Sequence, residues 1–589
     1  MDSHMFQTVG VGLLCPAIAE CMGVPLVSRP LRGRSLQTDM AYDAACPGDE
    51  VEDLFELLRD VKEQFPEVQA VSSGAVLSTY QRLRVENVCA RLGLTSLAYL
   101  WQRPQDEVLD SMVQDEVEAV LVKVASMGLK PAYLGRTIQD LQPTFEDLHE
   151  QFGFHVCGEG GEYETVTLDC PLFKRRIVLD EVERIMVDDV PFAPVAVLHI
   201  KALHTQAKPD SEPWPPSDAT SAAQPPQPPR DAHGAVEQTS TAVTAFPPEP
   251  TYSTSGTLAF VSGCRAPDGC EDAVIGVQSA CETLARVLGE HGQTLRDVAF
   301  VSLTVADMTQ FGAVNAAYCG FFEGFPAPSR ACVEASLPAG CHVCISAVVA
   351  KEPRAVLHVR SISKWAPVCI GPYAQCNMLA DKTCVVAGQI ALDPASMVLA
   401  HESDAAAQLE LALKHCLAIL SCQESQLAHA IQMVVYVARG ASLDVGAELA
   451  KNKTLGAPPP FVVVEVPALP RGAAVEVEMV ATHDEPGAVI VSERPFCRHW
   501  ERATVGRSAQ LFALAASDEA VDAAALSASV QAAQSSGRVA ARGWFDPATA
   551  DLSVVEAISE CLGLVIQPSP GLMVGPQGIA ARIVLQLWG

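Results

Sequence analysis

The sequence predicts a multidomain α/β protein: a parallel α/β layer, two tandem α+β units and a C-terminal α/β segment. Helical and strand-like patterns alternate over residues 1–205, which favours a parallel sheet covered by helices. A segment rich in Pro, Ser, Ala and Gln, residues 206–250, then interrupts the alternation. Beyond it, short motifs recur roughly one domain length apart, which indicates a repeated unit.

The N-terminal elements follow from the spacing of apolar residues. Helical spacing predicts helices over residues 51–65, 82–92 and 145–152. Short apolar runs predict buried strands over residues 69–71, 119–124 and 155–157. Residues 206–250 cannot bury enough apolar area to offset the loss of chain entropy, so we expect a disordered linker there.

Two similar units follow, over residues 251–352 and 353–485. The sequence Phe260-Val-Ser-Gly263 is echoed by Val386-Ala-Gly-Gln389, and Leu337-Pro338 is echoed by Leu469-Pro470. Their helices are expected over residues 271–290, 310–322 and 404–421, and their closing strands over residues 331–336, 342–350, 461–466 and 474–481. The remaining residues, 486–589, contain an Ala-rich helical pattern (518–534) and a terminal strand (580–587), and no chemical motif.

The charge and the cysteines exclude several classes of protein. With 40 Lys and Arg against 70 Asp and Glu, the net charge is −30, which argues against nucleic acid and against anionic membranes as partners. No apolar run reaches the roughly 18 residues of a membrane span, and no basic leader precedes one. The 20 scattered Cys indicate free thiols in a reducing, cytoplasmic compartment. The lone Cys-x-x-Cys pair, Cys341 and Cys344, does not predict a metal site.

The densest candidate site is the run Gly158-Glu-Gly-Gly-Glu-Tyr-Glu-Thr165. Its glycines Gly158, Gly160 and Gly161 allow a ligand to approach the backbone closely. The carboxylates of Glu159, Glu162 and Glu164 repel one another unless a cation or an ammonium group compensates them. The run therefore favours a magnesium–nucleotide or ammonia-handling site. A solvated acidic turn is the alternative, because a Gly-rich loop alone is a weak signal.

A second candidate lies where a predicted strand meets a helix. Gly74 and Ser78 stand at this junction, which is the usual ligand crevice of open α/β sheets. The following helix carries Arg82, Arg84 and Glu86, which would shape a substrate crevice. Arg82 and Glu86 are also spaced as an ordinary i,i+4 surface ion pair, worth only about 0.3–0.5 kcal/mol.

Several motifs, taken in order, resemble the diphthine–ammonia ligase family. They are Arg32–Thr38 (RGRSLQT), Gly48–Leu54 (GDEVEDL), Gly74–Cys89 (GAVLSTYQRLRVENVC), Leu97–Arg103 (LAYLWQR) and Gly158–Phe173 (GEGGEYETVTLDCPLF). The two repeated units are similar to the Rid (YjgF-like) family of reactive-intermediate deaminases. This domain order resembles the long form of the ligase, a ligase domain followed by two Rid-like domains.

The resemblance implies an adenine-nucleotide α-hydrolase-like fold over residues 1–205. It implies ATP-dependent amidation of diphthine on elongation factor 2 by ammonia, through an acyl-adenylate, giving diphthamide, AMP and pyrophosphate. ATP and Mg²⁺ are the implied cofactors. Glu159, Glu162 and Glu164 are the implied catalytic residues; Gly158, Gly160, Gly161, Gly74 and Ser78 bind the nucleotide; and Arg82, Arg84 and Glu86 contact the substrate.

The sequence departs from this family at the phosphate loop. The family's Ser-Gly-Gly-Lys-Asp-Ser does not occur in the 589 residues. Backbone N–H groups and the lysine of such a loop neutralise the phosphates. We therefore expect a sheet without its first strand, and Mg-ATP binding at least roughly tenfold weaker than in a form that carries the loop. The alternative function is a non-catalytic interaction protein, and a homo-oligomer through the Rid-like units is also expected.

Each Rid-like unit keeps half of its family's pattern. The first keeps Asn315 and Arg330, whose guanidinium could bind a carboxylate, but has Cys344 at the family's acidic position. The second keeps Tyr373, Gly388 and Glu476, while its arginine position falls at Phe461 or Val462. The two units are therefore either degenerate structural repeats or two halves of one site. Enamine or imine deaminase activity would require Arg330 and Glu476 to converge on one pocket.

Overall fold

The computed structural model describes residues 5, 11–40, 42, 44–190, 192–208, 249–267, 269, 270, 272–455, 459 and 461–483, and eight strands between residues 489 and 588. The chain forms two compact units. Unit 1 contains Met1–Gln227 and the short segment Ser361–Trp365, and unit 2 contains Pro228–Arg360 and Ala366–Gly589. Among the described residues, no helix is both long enough and apolar enough to cross a membrane. The linker expected over residues 206–250 lies largely outside the described residues.

Unit 1 combines five helices and six strands in its described part. The helices are α1 (Val11–Met22), α2 (Glu50–Gln64), α3 (Thr79–Leu92), α4 (Gln105–Gln114) and α5 (Ile138–Phe152). The strands are β1 (Ala70–Ser72), β2 (Thr95–Leu97), β3 (Glu118–Val124), β4 (Tyr163–Asp169), β5 (Arg175–Asp188) and β6 (Val195–Ala207).

The expected parallel layer is found in only one part of unit 1. Strands β1 and β2 pair in parallel, and Leu97 at the end of β2 makes a parallel bridge to Ile362. The other sheet, in the order β4-β3-β6-β5, is antiparallel throughout. The expectation of one parallel layer over residues 1–205 is therefore wrong for the sheet formed by β3 to β6. The short connection between β5 and β6 allows only antiparallel pairing, because a parallel pair needs a crossover.

The predicted strand over residues 155–157 is also wrong, because these residues form a turn that leads into the Gly158 loop. Val156 is buried there, so its apolar character reflects burial under the loop and not strand pairing. The rings of Phe145 and Phe154 stack with Tyr163 in the core beside β3. This cluster fixes both ends of the loop that carries the candidate carboxylates.

In unit 2, the two repeats form one sheet each, and these two sheets share one strand order. Four helices are described in this unit. The helices are α6 (Ala273–Glu290), α7 (Phe311–Cys319), α8 (Ala405–Ser421) and α9 (Val445–Lys451). The strands of the first repeat are β7 (Thr251–Ser255), β8 (Leu258–Arg265), β9 (Val298–Val305), β10 (Ser329–Glu334) and β11 (Val343–Ala350). Those of the second are β12 (Ala355–Leu357), β13 (Cys376–Met378), β14 (Cys384–Ile390), β15 (Ala430–Ala438), β16 (Phe461–Val466) and β17 (Val475–Ala481).

In both repeats the closing strand lies in the middle of the sheet. The first sheet runs β7-β8-β11-β9-β10, and the second contains the matching series β13-β14-β17-β15-β16. A long helix follows the first hairpin and packs its buried face on the sheet; side chains of Asp272 and Asp404 cap α6 and α8. The last two strands, β9 with β10 and β15 with β16, pair in parallel across a crossover.

The C-terminal part is described only as strands. They are β18 (Val489–Arg494), β19 (Cys497–Ala503), β20 (Gln510–Ala515), β21 (Val539–Phe545), β22 (Ile566–Pro568), β23 (Met573–Val574), β24 (Ala580–Ala581) and β25 (Ile583–Trp588). The expected terminal strand over residues 580–587 is therefore divided into β24 and β25. The helix expected over residues 518–534 lies outside the described residues.

Candidate functional site

The Gly158 loop joins α5 to β4 in unit 1. The Tyr163 hydroxyl donates to the carbonyl oxygen of Val156 at 2.5 Å and closes the loop over the aromatic core. Gly158 has φ of +74°, and a Cβ there would lie 2.9 Å from the Tyr163 carbonyl oxygen. Gly161 has φ of +83°. Both conformations are strained for other residues, so the sequence needs glycine at these turns.

The three carboxylates of the loop have different surroundings. Glu164 forms an ion pair with Lys123, with 2.9 Å between Oε1 and Nζ. Glu159 Oε2 lies 3.5 Å from the backbone nitrogen of Leu77, which donates to it. Glu162 Oε1 accepts from the backbone N–H of His155 at 3.3 Å, whereas Glu162 Oε2 is buried without a hydrogen-bond partner. The mutual repulsion expected from the sequence is therefore relieved at Glu164 by a lysine.

The structure adds His155, which the sequence analysis did not select. Its Nδ1 accepts from the backbone N–H groups of Cys157 and Glu159, at 3.3 and 3.4 Å. This assigns the proton of the neutral ring to Nε2, which is buried without a partner. Burial lowers the pKa of His155, which favours this neutral form. In the sequence, the only indication that His155 belongs to this site was its position three residues before the glycine run.

The contact between Glu159 and Leu77 joins the Gly158 loop to residues 74–78. The structure thus brings together the two segments that the sequence singled out. Ser78 is the N-cap of α3, and its hydroxyl accepts from the Gln81 N–H at 3.3 Å. The space beside Gly74 is open, since no atom lies within 4 Å of the position of a Cβ.

Arg82 and Glu86 lie in the interior of unit 1. Arg82 Nη1 lies 2.8 Å from Glu86 Oε2, and both residues are 2% exposed. The Arg82 guanidinium also lies over the ring of Trp101, 4.5 Å from its centre. Glu86 Oε1 accepts from the N–H and the hydroxyl of Ser361, at 2.8 and 2.6 Å. The surface ion pair considered from the sequence is therefore a buried one, and contact of these residues with substrate stays a prediction.

Arg84 is also buried, and both of its Nη atoms donate hydrogen bonds within the chain, whereas its Nε has no partner. Its guanidinium donates to the carbonyl oxygens of Gln37 and Asp39, at 2.5 and 3.0 Å. It also stacks on Tyr80, with 3.3 Å between the guanidinium carbon and the ring centre. In this arrangement Arg84 fixes residues 37–39 against α3, and a substrate role for it also stays a prediction.

In unit 2, Arg330 and Glu476 converge on one pocket. Arg330 is on β10 of the first repeat and Glu476 is on β17 of the second, and they are 2% and 3% exposed. The cavity between them has a volume of about 20 Å³, room for roughly one water molecule. Its lining is shared by the two repeats and consists of Phe311, Arg330, Cys332, Ile370, Tyr373, Gly388, Ile390, Pro470 and Glu476.

Both charged groups of this pocket keep an unused polar atom. Arg330 Nη2 donates to Asn315 Oδ1 at 2.6 Å, while its Nη1 is buried without a partner. Glu476 Oε2 is also buried without a partner. The guanidinium carbon of Arg330 lies 5.0 Å from the ring centre of Tyr373. A Cβ at Gly388 would overlap Glu476 Oε1, and a Cβ at Gly371 would lie 2.5 Å from Arg330 Nη2.

The pKa of Glu476 is raised to about 8. Burial is the main cause, and the negative charge of the nearby Glu478 adds to it. The backbone N–H of Cys332 and the charge of Arg330 act in the opposite direction but do not outweigh burial. Glu476 is therefore largely protonated at neutral pH. The pocket then offers two donors, Arg330 Nη1 and the carboxylic acid, both suited to an anion.

The register of the sheets identifies the counterpart of Arg330 in the second repeat. Val305 pairs with Glu334, and Val437 pairs with Glu465. Counting back four residues from each glutamate gives Arg330 and Phe461. Of the two positions considered from the sequence, the structure therefore selects Phe461.

Among the described residues, no group of three His, Cys, Asp or Glu side chains is arranged to hold a metal ion.

Three family models match this chain. The model described as the diphthamide synthase N-terminal domain matches residues 1–96, and the model of the diphthamide synthase C-terminal domain matches residues 105–197. The model described as endoribonuclease L-PSP matches residues 240–351 and 363–483. These ranges cover the two loops of unit 1 and both repeats of unit 2.

Individual proteins similar to this chain include two diphthine–ammonia ligases and one solved structure. A diphthine–ammonia ligase from Schizosaccharomyces pombe is 35% identical over 504 residues, 82% of this chain and 80% of the relative. A diphthine–ammonia ligase from Rattus norvegicus is 52% identical over 214 residues, 36% of this chain and 79% of the relative. A crystal structure of RidA from an Antarctic Psychrobacter is 28% identical with a TM-score of 0.18, and covers 20% of this chain and 94% of that chain.

The buried ion pair of α3 generates a test of its role. Glu86→Gln leaves the Arg82 charge buried without its counter-charge, so we expect unit 1 to lose about 3 kcal/mol of stability. Denaturant-dependent hydrogen exchange of the α3 amides measures this loss. As a matched control, Asp140→Asn removes the exposed i,i+4 pair with Arg136 and should cost less than about 1 kcal/mol. Equal effects of the two substitutions would contradict a structural role for Glu86.

The raised pKa of Glu476 predicts a pH dependence. Between the ordinary carboxyl pKa of 4.5 and about 8, the folded protein holds a proton that the unfolded chain has released. Stability from this group is therefore full at low pH and is lost as the pH rises through this window. Relative to Glu476→Gln, which cannot ionise, wild-type protection of the β17 amides from hydrogen exchange should fall between pH 5 and pH 8. A constant difference between the two proteins would refute the assignment.

Proposed function

The chain belongs to the diphthine–ammonia ligase family, and on this premise we propose how the residues of unit 1 serve the reaction. The protein is a carbon–nitrogen ligase of the last step of diphthamide biosynthesis, and its family uses ATP. A non-catalytic interaction protein is not favoured by these relatives. The substrates are ammonia and a protein that carries diphthine, which we take to be elongation factor 2 in the cytoplasm.

We propose two chemical steps. A carboxylate oxygen of diphthine attacks the α-phosphorus of ATP, and pyrophosphate leaves. Ammonia then attacks the carbonyl carbon of the acyl-adenylate, AMP leaves with the electron pair of the carbon–oxygen bond, and ammonia's extra proton passes to a base. Because carboxylates repel phosphates, the acidic loop suits ATP bound as its magnesium complex.

The observation that supports this placement is the pair of unused polar atoms beside the Gly158 loop. Glu162 Oε2 is an acceptor and His155 Nε2–H is a donor, and both are buried without a partner. A buried polar atom without a partner costs about 1–3 kcal/mol, so a ligand that supplies the missing hydrogen bonds is stabilised there. Ammonium fits Glu162, whose unpaired carboxylate oxygen can accept a hydrogen bond from it and hold it beside the loop.

The remaining predicted residues are assigned by their positions. Glycines Gly158, Gly160, Gly161 and Gly74 keep the backbone accessible to the nucleotide, and Ser78 fixes the start of α3 beside it. Glu159 ties the two loops together through Leu77. We assign Arg82, Arg84 and Glu86 to the wall beneath the substrate crevice, where they position other groups without contact to the reacting atoms.

Glu162→Gln should raise the KM for ammonia at least roughly tenfold, because a neutral amide lacks the negative charge that holds ammonium. The assay follows conversion of diphthine to diphthamide on purified elongation factor 2, with ATP and varied ammonium. Glu164→Gln is the matched control. Its carboxylate is engaged by Lys123, so we expect less than about a threefold change.

Two outcomes would contradict different parts of this proposal. Equal effects of the two substitutions would remove the ammonia-binding role of Glu162. Failure of the wild-type chain, and of an N-terminally extended form, to restore diphthamide in ligase-deficient cells would remove the ligase assignment itself.

A second binding function is favoured by the convergence of Arg330 and Glu476. We propose that their pocket, which has room for roughly one water molecule in this conformation and widens to admit a ligand, binds the carboxylate group of a small metabolite, with Arg330 Nη1 and protonated Glu476 as donors. Asn315 and Tyr373 orient the guanidinium, and Gly388 leaves room for the Glu476 carboxyl group. A charge-assisted hydrogen bond in such a site contributes about 1.5–3 kcal/mol.

Acetate and its neutral analogue acetamide test this pocket in the full chain. We expect calorimetry or ligand-observed NMR to show acetate binding with acetamide at least roughly tenfold weaker, and Arg330→Met to weaken acetate by a similar factor. Arg286→Met, on the exposed face of α6, is the control and should leave binding unchanged. Equal binding of acetate and acetamide, or by wild type and Arg330→Met, would rule out anion recognition by Arg330.

A further inference from the structure

The C-terminal strands have the same order as the two preceding repeats. Strands β19, β20, β25, β21 and β22 lie side by side in this order, as β7-β8-β11-β9-β10 do in the first repeat. In both sheets the first two strands form an antiparallel pair, and the closing strand pairs antiparallel with both of its neighbours. The last two strands pair in parallel. Five strands thus agree in order and in direction.

The register agrees as well. In each sheet, one residue near the end of the strand before the crossover (β9, β15 or β21) pairs on one side with the first residue of the closing strand (β11, β17 or β25). On its other side it pairs with a residue at or next to the end of the parallel strand (β10, β16 or β22). These residues are Val305 with Val343 and Glu334, Val437 with Val475 and Glu465, and Phe545 with Ile583 and Pro568. A one-residue slip would turn every side chain to the opposite face, so common register indicates a common fold.

The contacts between the three sheets are cyclic. Strand β9 of the first repeat lies against β14 of the second, and β15 of the second lies against β20 of the C-terminal sheet. Strand β21 of the C-terminal sheet lies against β8 of the first repeat. Strands β9, β15 and β21 hold the same place in their sheets, and so do β8, β14 and β20. The same contact between strands therefore occurs three times: the first sheet contacts the second, the second contacts the third, and the third contacts the first.

A further contact recurs at two of these junctions. The Glu334 N–H on β10 donates to the carbonyl oxygen of Ala468, in the β16–β17 connection of the next repeat, at 3.2 Å. Val463 on β16 pairs with Val574, which lies in the β22–β25 connection. In both cases the connection before a closing strand covers the open edge of the preceding sheet, which would otherwise expose unpaired backbone groups.

We propose that the described strands between residues 489 and 588 form a third repeat of the same fold, which closes the other two into a three-membered ring within one chain. The surfaces that the first two repeats present at their free ends then have an intramolecular partner. A homo-oligomer through these repeats, as expected from the sequence, is no longer needed to complete them.

The ring also places the Arg330–Glu476 pair at one of three equivalent junctions. Arg330 and Glu476 meet at the junction of the first and second repeats. At the next junction the corresponding register positions hold Phe461 on β16 and Val584 on β25, which pairs with Trp544 as Glu476 pairs with Tyr436. At the third junction the closing strand carries Cys344. Of the three junctions, only the first therefore combines the arginine with the acid.

Cleavage of the connection before the third repeat tests the ring in the full chain. A protease site is inserted within residues 484–488, and the uncleaved protein must keep the mass of one chain in light scattering. After cleavage, we expect the C-terminal fragment to remain bound, with unchanged hydrogen exchange in β8 and β16. Release of the fragment, with the remaining chain unchanged in mass and in exchange, would overturn the proposal. So would a stable trimer of the intact chain.

A point substitution gives an independent measurement. Val574→Pro disrupts the pairing with Val463, so exchange of the amides in β16 should increase at least roughly tenfold. The β10 amides, whose edge is covered by residues around Ala468, are the internal control and should not change. Unchanged exchange in β16 would contradict the third repeat, and equal acceleration in β10 and β16 would show loss of folding and not of this contact.

Discussion

The need to satisfy buried polar groups governs this protein, because an unpaired charge in a low-dielectric interior costs several kcal/mol. In unit 1 the charges of Arg82 and Glu86 lie against each other, against the ring of Trp101 and against Ser361, which belongs to a segment from far along the chain, Ser361–Trp365. A short stretch between the two repeats thereby becomes part of the ligase unit. Buried polar atoms without a hydrogen-bond partner occur at several places among the described residues, and two of these places bear on function.

Those two places are the candidate sites. Beside the Gly158 loop, His155 Nε2 and Glu162 Oε2 have no partner, and between the repeats Arg330 Nη1 and Glu476 Oε2 have none. The surrounding packing holds these atoms in place: an aromatic cluster under the loop, and Asn315 with Tyr373 around the guanidinium. Preorganised, desolvated donors and acceptors bind a matching ligand strongly because no reorganisation is needed.

The two repeats form one site between them. Arg330 lies in the first repeat and Glu476 in the second, and the corresponding positions of the other repeat hold Phe461 and Cys344. Arg330 lies on β10 and Glu476 on β17, strands of different sheets that both line one pocket, so the pair is formed although neither repeat contains both residues. Strands such as β9 and β15 bury apolar side chains, which stabilise the two sheets whether or not a repeat carries a site residue.

The sequence alone determined the local elements, the duplicated unit, the glycine-rich acidic loop and the family, since spacing, glycine requirements and ordered motifs are properties of short segments. Most helices and the closing strands of unit 2 lie within a few residues of the predicted bounds for that reason. Only the tertiary structure decided that β3 to β6 pair antiparallel, that Arg82 and Glu86 are buried, that His155 joins the loop, and that two incomplete sites form one. Each of these depends on contacts between residues distant in the chain, and periodicity carries no information about which distant segments meet.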